Sequence, residues 1–133
     1  HTLEDKQNKY YKVASGGPLV QHSLVTMLEL YHQGKITLEK IAEKMSHAVA
    51  ECFQIEKRGY IREGYWADLV LVDLNSPWTV DKSNILYKCG WSPFTGTTFH
   101  SKVTHTFVNG NLVYHEGKFN ESQTGKRLLF DRK

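Results

Sequence analysis

Residues 57–73, KRGYIREGYWADLVLVD, constrain the fold of this chain more than any other stretch. Gly59 and Gly64 bracket a short run at 60–63, and ADLVLVD at 67–73 follows as an almost wholly apolar one. Short runs rich in branched and aromatic residues, bounded by turn formers, predict strands. An unbroken apolar run predicts a strand buried on both faces. Upstream of this stretch the apolar residues recur at helical spacing instead. The change of period near 54–57 predicts helices first and strands afterwards, an α+β organisation.

Within the helical part, Pro18 suits a first helical turn. Val20, Leu24, Met27 and Tyr31, with Leu28 beside them, predict an amphipathic helix over 18–33 that stops at Gly34. Thr37 is a good N-cap for a second helix with Leu38, Ile41, Ala42 and Met45 on its apolar face. Ser46 is expected to cap a third, short helix reaching Phe53, with Cys52 on its buried side. Ahead of these, residues 1–16 are polar and run into ASGG at 14–17, a loop whose glycines reach conformations closed to other residues. In the β part, NSP at 75–77 ends the apolar strand, 78–80 is extended and 81–100 is rich in loop. Asn109 and Gly110 lie between the alternating runs 102–108 and 112–115. Asn-Gly there is the strongest short hairpin signal, because a type I′ turn needs positive φ at both central residues. His105 and His115 are placed to face each other across that hairpin. The last dozen residues are polar and expected to fray, apart from LLF at 128–130. The expected parts are 1–54, 55–120 and a tail at 121–133.

Several function classes are disfavoured. The formal charge of +3 is small. Lys126, Arg127, Arg132 and Lys133 read as a solvated basic tail, since a nucleic-acid surface is denser and interleaved with aromatics. No apolar run approaches the 18 or so residues of a membrane span, and no signal peptide is expected. Two cysteines, Cys52 and Cys89, suit a reducing compartment, so the expected location is cytoplasmic. A hydrolytic zinc site wants three or more converging His, Asp, Glu or carboxylated Lys ligands, yet the chain has no H-x-H, no H-E-x-x-H and no paired cysteines at ligand spacing. His22 and His32 are too far apart on one helix to share a metal. His100, His105 and His115 read as surface or hairpin-packing residues. Ser15 and Ser23 lack a G-x-S-x-G elbow, and SGG at 15–17 lacks Walker spacing. Glu39, Lys40, Glu43 and Lys44 form a solvated helix face, while Tyr10, Tyr11 and Trp66 are expected to pack.

Taken together, these runs resemble the C-terminal region of amidohydrolase-superfamily enzymes. Residues 57–73 are similar to the pattern K-G-x-I-x-x-G-x-x-A-D-L-V-L-x-D. WSPFTG at 91–96, followed by VTHTFVNGNLVY at 103–114, resembles the closing pattern of dihydroorotases, S-P-F-x-G and then V-x-x-T-x-V-x-G-x-x-V-Y. Those residues are expected to be structural, a shaped loop and a closing hairpin. HTLEDKQ at 1–7, a short loop, SGGP at 15–18 and a helix are similar to the segment after the eighth barrel strand of bacterial dihydroorotases. One departure is HAVA at 47–50, where relatives often carry N-P-A or H-A-P-A. Val49 in place of proline is expected to have only a small effect on stability.

The resemblance implies helices from the end of a metal-dependent (β/α)8 barrel, followed by most of a small β sandwich. A barrel takes roughly 250 residues, more than this chain holds, so the chain is expected to be the C-terminal piece of a larger hydrolase. Its first partner is then the missing N-terminal part of the same protein, and exposed apolar surface makes self-association a further expectation. The implied reaction is the reversible hydrolysis of dihydroorotate to N-carbamoyl-L-aspartate. In the family, zinc activates the attacking water and the Asp of a D-H-A-P-H run moves the proton. His1 matches the last His of that run, and Ser15 and Gly16 match an x-G pair in the following loop. They are implied to hold the substrate carboxylate through an imidazole and backbone N–H groups. A lone terminal His is equally what an artificial start leaves. The Asp itself precedes His1, so no catalytic residue, no metal ligand and no bound zinc are expected in this chain. Two other readings stay open, an allantoinase- or hydantoinase-like parent and a non-catalytic dihydroorotase-like interaction module. The reading frame ahead of His1 separates them.

Overall fold

The computed structural model describes residues 1–122 and 124–131, with Tyr10 by its backbone alone. Arg132 and Lys133, half of the expected basic tail, and the expected packing of the Tyr10 side chain lie outside the described residues. Helices come first and antiparallel strands second. The first element falls inside the expected N-terminal loop. Helix α1 (Leu3–Lys6) is a single turn closed by a reciprocal box, in which Thr2 Oγ1 accepts from the Asp5 N–H at 3.3 Å and Asp5 accepts from the Thr2 N–H at 2.7 Å. Two orphan donors are satisfied at once, which lets so short a helix persist.

After a 3-10 turn (Val20–His22), helix α2 (Ser23–His32) ends as expected at Gly34, whose φ of 67° lets its N–H reach the Tyr31 carbonyl. Its buried stripe is not the expected one. His22, Val25 and Leu28 are buried, whereas Val20 is 86% exposed. Apolar residues surround this helix nearly all round, so periodicity alone does not select one face. Thr37 caps helix α3 (Leu38–Ala42), its Oγ1 accepting from the Lys40 N–H at 3.2 Å. The chain then widens into a π turn (Glu43–His47) and continues as α4 (Ala48–Cys52). The expected second and third helices are therefore one rod, and Ser46 lies inside it rather than capping it. Cys52 is exposed rather than buried, because Ala50, two positions earlier, faces inward.

The expected strand at 60–63 is absent. Gly59 and Gly64 both have positive φ, and residues 62–65 close a turn instead. Strand β1 (Leu69–Asp73) forms as expected and pairs antiparallel with β4 (Lys102–Val108). Strand β5 (Asn111–His115) follows the turn at Asn109 and Gly110, whose φ values of 51° and 84° fit type I′. A second such turn, Glu116 and Gly117 at 44° and 87°, adds β6 (Lys118–Phe119). The sheet order is β1-β4-β5-β6. β1 is an edge strand with Val70 44% and Leu71 50% exposed, not the doubly buried strand its composition predicts.

A knot of polar contacts joins β1 to the first hairpin turn. Asp68 accepts from the Asn109 N–H at 2.7 Å and pairs with Arg58, which also donates to Asn109 Oδ1 at 2.7 Å. The Gly110 N–H donates to the Ala67 carbonyl at 2.9 Å. Trp66 packs as expected, between the Arg58 guanidinium and the ammonium of Lys126, so that part of the basic tail is not simply solvated. Further along, Phe130 bridges to Ile55, and Glu56 donates to the Leu129 carbonyl.

The buried core sits elsewhere. A two-stranded ribbon, β2 (Trp78–Thr79) with β3 (Thr98–Phe99), packs against α2 around Val25, Val80 and Phe99, flanked by Trp78, Ile85 and Phe94. β3 falls within the stretch expected to be loop. His22 is fully buried among the rings of Trp78, Tyr87, Phe94 and Phe99 and is a core residue. The Tyr87 hydroxyl accepts from the Gln21 N–H and lies 3.2 Å from His22 Nδ1, and Ser92 Oγ lies 3.4 Å from the same nitrogen. His22 Nε2 has no partner among the described residues.

Burial pushes the His22 pKa below its ordinary value near 6.5. Its contribution to stability is therefore complete above about pH 6.5 and is lost as pH falls below that, where the unfolded chain takes up a proton that the folded one refuses. The expected slope is up to about 1.4 kcal/mol per pH unit. Urea titrations from about pH 7.5 to 5 check this, because His22→Gln should lose that part of the slope whatever its own stability.

Candidate functional site

The three residues implied to hold substrate lie on the N-terminal arm. All three are exposed. Gly16 has a φ of 84°, the left-handed region that favours glycine, and a Cβ at Gly16 or Gly17 would meet nothing within 4 Å. The turn is thus open to solvent on its outer side. Among the described residues, the N–H groups of Ser15, Gly16 and Gly17 donate to no protein acceptor. Free N–H groups around a left-handed glycine form the kind of concavity that takes anions.

The arm is folded back on itself by Lys6. Its ammonium donates to both the Ala14 and the Gly16 carbonyl oxygens, so the last residue of α1 closes the loop onto the turn. The same ammonium lies 5.9 Å from the centre of the Trp91 ring. Trp91 Nε1 in turn donates to the His1 carbonyl at 3.1 Å. Lys6 and Trp91 therefore connect His1 to the Ser15–Gly16 turn. The sequence reading missed both. Lys6 resembles any solvated lysine by composition, and Trp91 contacts His1 from the far end of the chain. The Thr2–Asp5 box keeps α1 in place beneath them, and the Thr2 N–H holds the Asp5 carboxyl below its ordinary range.

Other polar clusters belong to the scaffold. His32 Nε2 and Ser101 Oγ are 2.8 Å apart, but Ser101 is 1% exposed and has no approach for a substrate. His100 Nδ1 meets both oxygens of Glu29, at 3.1 and 3.0 Å, and this contact holds the Glu29 carboxyl below its ordinary range. His105 and His115 do stack across the hairpin, with ring centres 4.3 Å apart. Glu43 pairs with Lys40 and Lys44 on the outer face of the rod. A cleft of about 760 Å³ opens beside α4, lined by Glu51, Lys57, Arg58, Tyr60 and Arg62 among others. None of the three candidate residues lines it. Its charges are mixed, and Arg62 lies over the Tyr60 ring. Among the described residues, no three His, Cys, Asp or Glu side chains are placed to hold a metal ion. No helix among them is long and apolar enough to cross a membrane.

Comparison with known proteins places these features. The pattern of the amidohydrolase family matches residues 5–113. The dihydroorotase of Pyrococcus furiosus is 33% identical over 129 residues, covering 97% of this chain and 30% of that protein. The allantoinase of Desulfitobacterium hafniense strain Y51 is 36% identical over 124 residues, covering 92% and 28%. Among solved structures, an L-hydantoinase (dihydropyrimidinase) from Arthrobacter aurescens superposes with a TM-score of 0.80 at 30% identity, covering 89% of this chain and 27% of that one. The D-hydantoinase from Thermus sp. reaches the same TM-score at 21% identity and speaks for the fold alone. The chain spans about 30% of the length of the curated relatives it matches.

Proposed function

Since this chain belongs to the amidohydrolase family, we propose that it is the C-terminal part of a zinc-dependent dihydroorotase, the part that helps to hold the substrate's carboxylate. The observation that carries this reading is the open turn at Ser15 and Gly16, with unshared N–H groups, tied to His1 through Lys6 and Trp91. Dihydroorotate bears a carboxylate beside its cyclic amide; allantoin does not. An anion grip is therefore the feature that favours the first substrate over the second. In this reading α2 and the rod end a (β/α)8 barrel, and the two sheets form most of a β sandwich. The division at 54–55 and 120–121 belongs to the same reading. The exposed apolar residues of β1 are then where the rest of the protein packs, which supports a larger parent as first partner. Two free cysteines, one of them exposed, suit a reducing cytoplasm.

The zinc would be held by residues outside this chain. Its chemistry would be activation of water for attack on the cyclic amide. What these residues contribute is orientation. The imidazole of His1 and the N–H groups of the turn fix the carboxylate, and so fix which ring carbonyl faces the reacting groups.

A second reading, an allantoinase or hydantoinase, is favoured by the 36% identity to the allantoinase and by the superposition on the L-hydantoinase. Assay of the whole metal-loaded protein on dihydroorotate, allantoin and hydantoin decides between them. Turnover of dihydroorotate is expected. Preference for either other ring supports the second reading, and a folded protein inert on all three points to a non-catalytic module. The isolated chain is expected to bind zinc poorly, and one equivalent of tightly held zinc by elemental analysis would overturn that.

A further inference from the structure

We infer that Lys6, braced by Trp91, is the positioning residue that turns the Ser15–Gly16 loop into an anion grip. A trans peptide is planar, and its C=O and N–H point in opposite directions. Lys6 collects the carbonyl oxygens of Ala14 and Gly16. The partner N–H groups across those two peptides belong to Ser15 and Gly17. Capturing both carbonyls on one ammonium therefore swings the Ser15 and Gly17 N–H groups to the far side, away from the positive charge and towards the open space at the glycines. Without that cation the two carbonyls repel an approaching carboxylate or rotate freely, since the glycines impose no orientation of their own. The positive φ of Gly16 allows the two captured carbonyls to converge.

Trp91 carries the second half of the argument. Its ring faces the Lys6 ammonium at 5.9 Å, while its Nε1 donates to the His1 carbonyl at 3.1 Å. One side chain thus registers both pieces of the grip against each other. This tryptophan opens the WSPFTG run, which the sequence alone assigns to loop structure. The geometry gives it a second task, that of coupling the β part to the substrate arm. Neither residue touches the substrate in this account. Lys6 acts through backbone dipoles, and Trp91 acts through Lys6 and the His1 backbone.

The inference rests on the reading of Ser15 and Gly16 as a carboxylate grip, and the test separates the two. In the whole protein, Lys6→Met is expected to raise KM for dihydroorotate about tenfold or more, with kcat changed by less than about threefold. On a ring substrate without a carboxylate, such as hydantoin, KM should hardly move. Lys6→Arg, which keeps a multi-donor cation, should recover most of the loss, and Trp91→Phe, which keeps the ring but not the donor, should show a smaller rise. Backbone order parameters from 15N relaxation at residues 13–17 should fall in Lys6→Met and return in Lys6→Arg. An equal loss on both substrates, or unchanged order parameters at 13–17, overturns the positioning role. Should the wild-type protein turn over no cyclic amide, the functional reading falls, and the relaxation result still decides whether Lys6 sets the loop.

Discussion

Phe99→Ala is expected to lower stability by about 3–5 kcal/mol, the usual cost of emptying a large aromatic site in a core that cannot fully collapse. Phe99 is 2% exposed and packs with Val25 and Val80. Its ring lies 5.5 Å from Phe94, 5.8 Å from Trp78 and 6.1 Å from His22, centre to centre. The side chain thus joins the ribbon β2–β3 to helix α2, and the cavity it leaves borders a histidine whose Nε2 has no partner among the described residues. Water entering that cavity would find a polar atom to bond there, which sets the expected cost nearer the lower figure. A urea titration at about pH 7.5 measures it, read as a shift in midpoint at constant slope. A loss under about 1 kcal/mol would mean that the ribbon and α2 are not one core.

Gly59→Ala is the second large effect, expected at about 3 kcal/mol or more. Two costs combine. Gly59 has a φ of 78°, where an alanine is strained. Its Cβ would also lie 2.9 Å from the Ser46 carbonyl oxygen and closer still to Ala50 Cβ. Both neighbours are part of the helical rod and have little room to retreat. The π turn widens the rod just where Gly59 approaches it, and the next residue, Tyr60, stacks on His47 with ring centres 4.2 Å apart. Gly64 provides the control within the same run. Its φ is almost the same, at 79°, but a Cβ there meets nothing within 4 Å. Gly64→Ala should cost only about 1 kcal/mol, from strain alone. Thermal unfolding of the two variants side by side checks the contrast, and equal losses would show that strain rather than contact sets the cost at Gly59.

The parts of the fold legible from sequence are those decided by a few adjacent residues. Thr37 caps because its own hydroxyl reaches three residues on, Gly34 stops α2 because it alone tolerates the left-handed turn, and Asn109–Gly110 make a hairpin for the same reason. What was not legible depends on partners far along the chain. The burial of His22 needs Trp78, Tyr87, Phe94 and Phe99, and the pairing of Phe99 with Trp78 turned an expected loop into a ribbon. The exposed face of β1 shows the same dependence in reverse, since its composition anticipates cover that these residues do not provide. At the candidate site, resemblance pointed to His1, Ser15 and Gly16 one by one. What joins them is a lysine and a tryptophan that no local pattern marks.

The knot of Arg58, Asp68 and Asn109 bears on inheritance. Its members hydrogen-bond to one another, all from within residues 58–109, and none of them is among the residues proposed to hold substrate. A module whose signature residues bond chiefly to one another can be passed whole between enzymes that act on different rings, because little in it has to be renegotiated when the upstream chemistry changes. On the proposed reading, the motif that makes this chain recognisable is a record of descent, and the choice of substrate lies with loops the knot leaves alone.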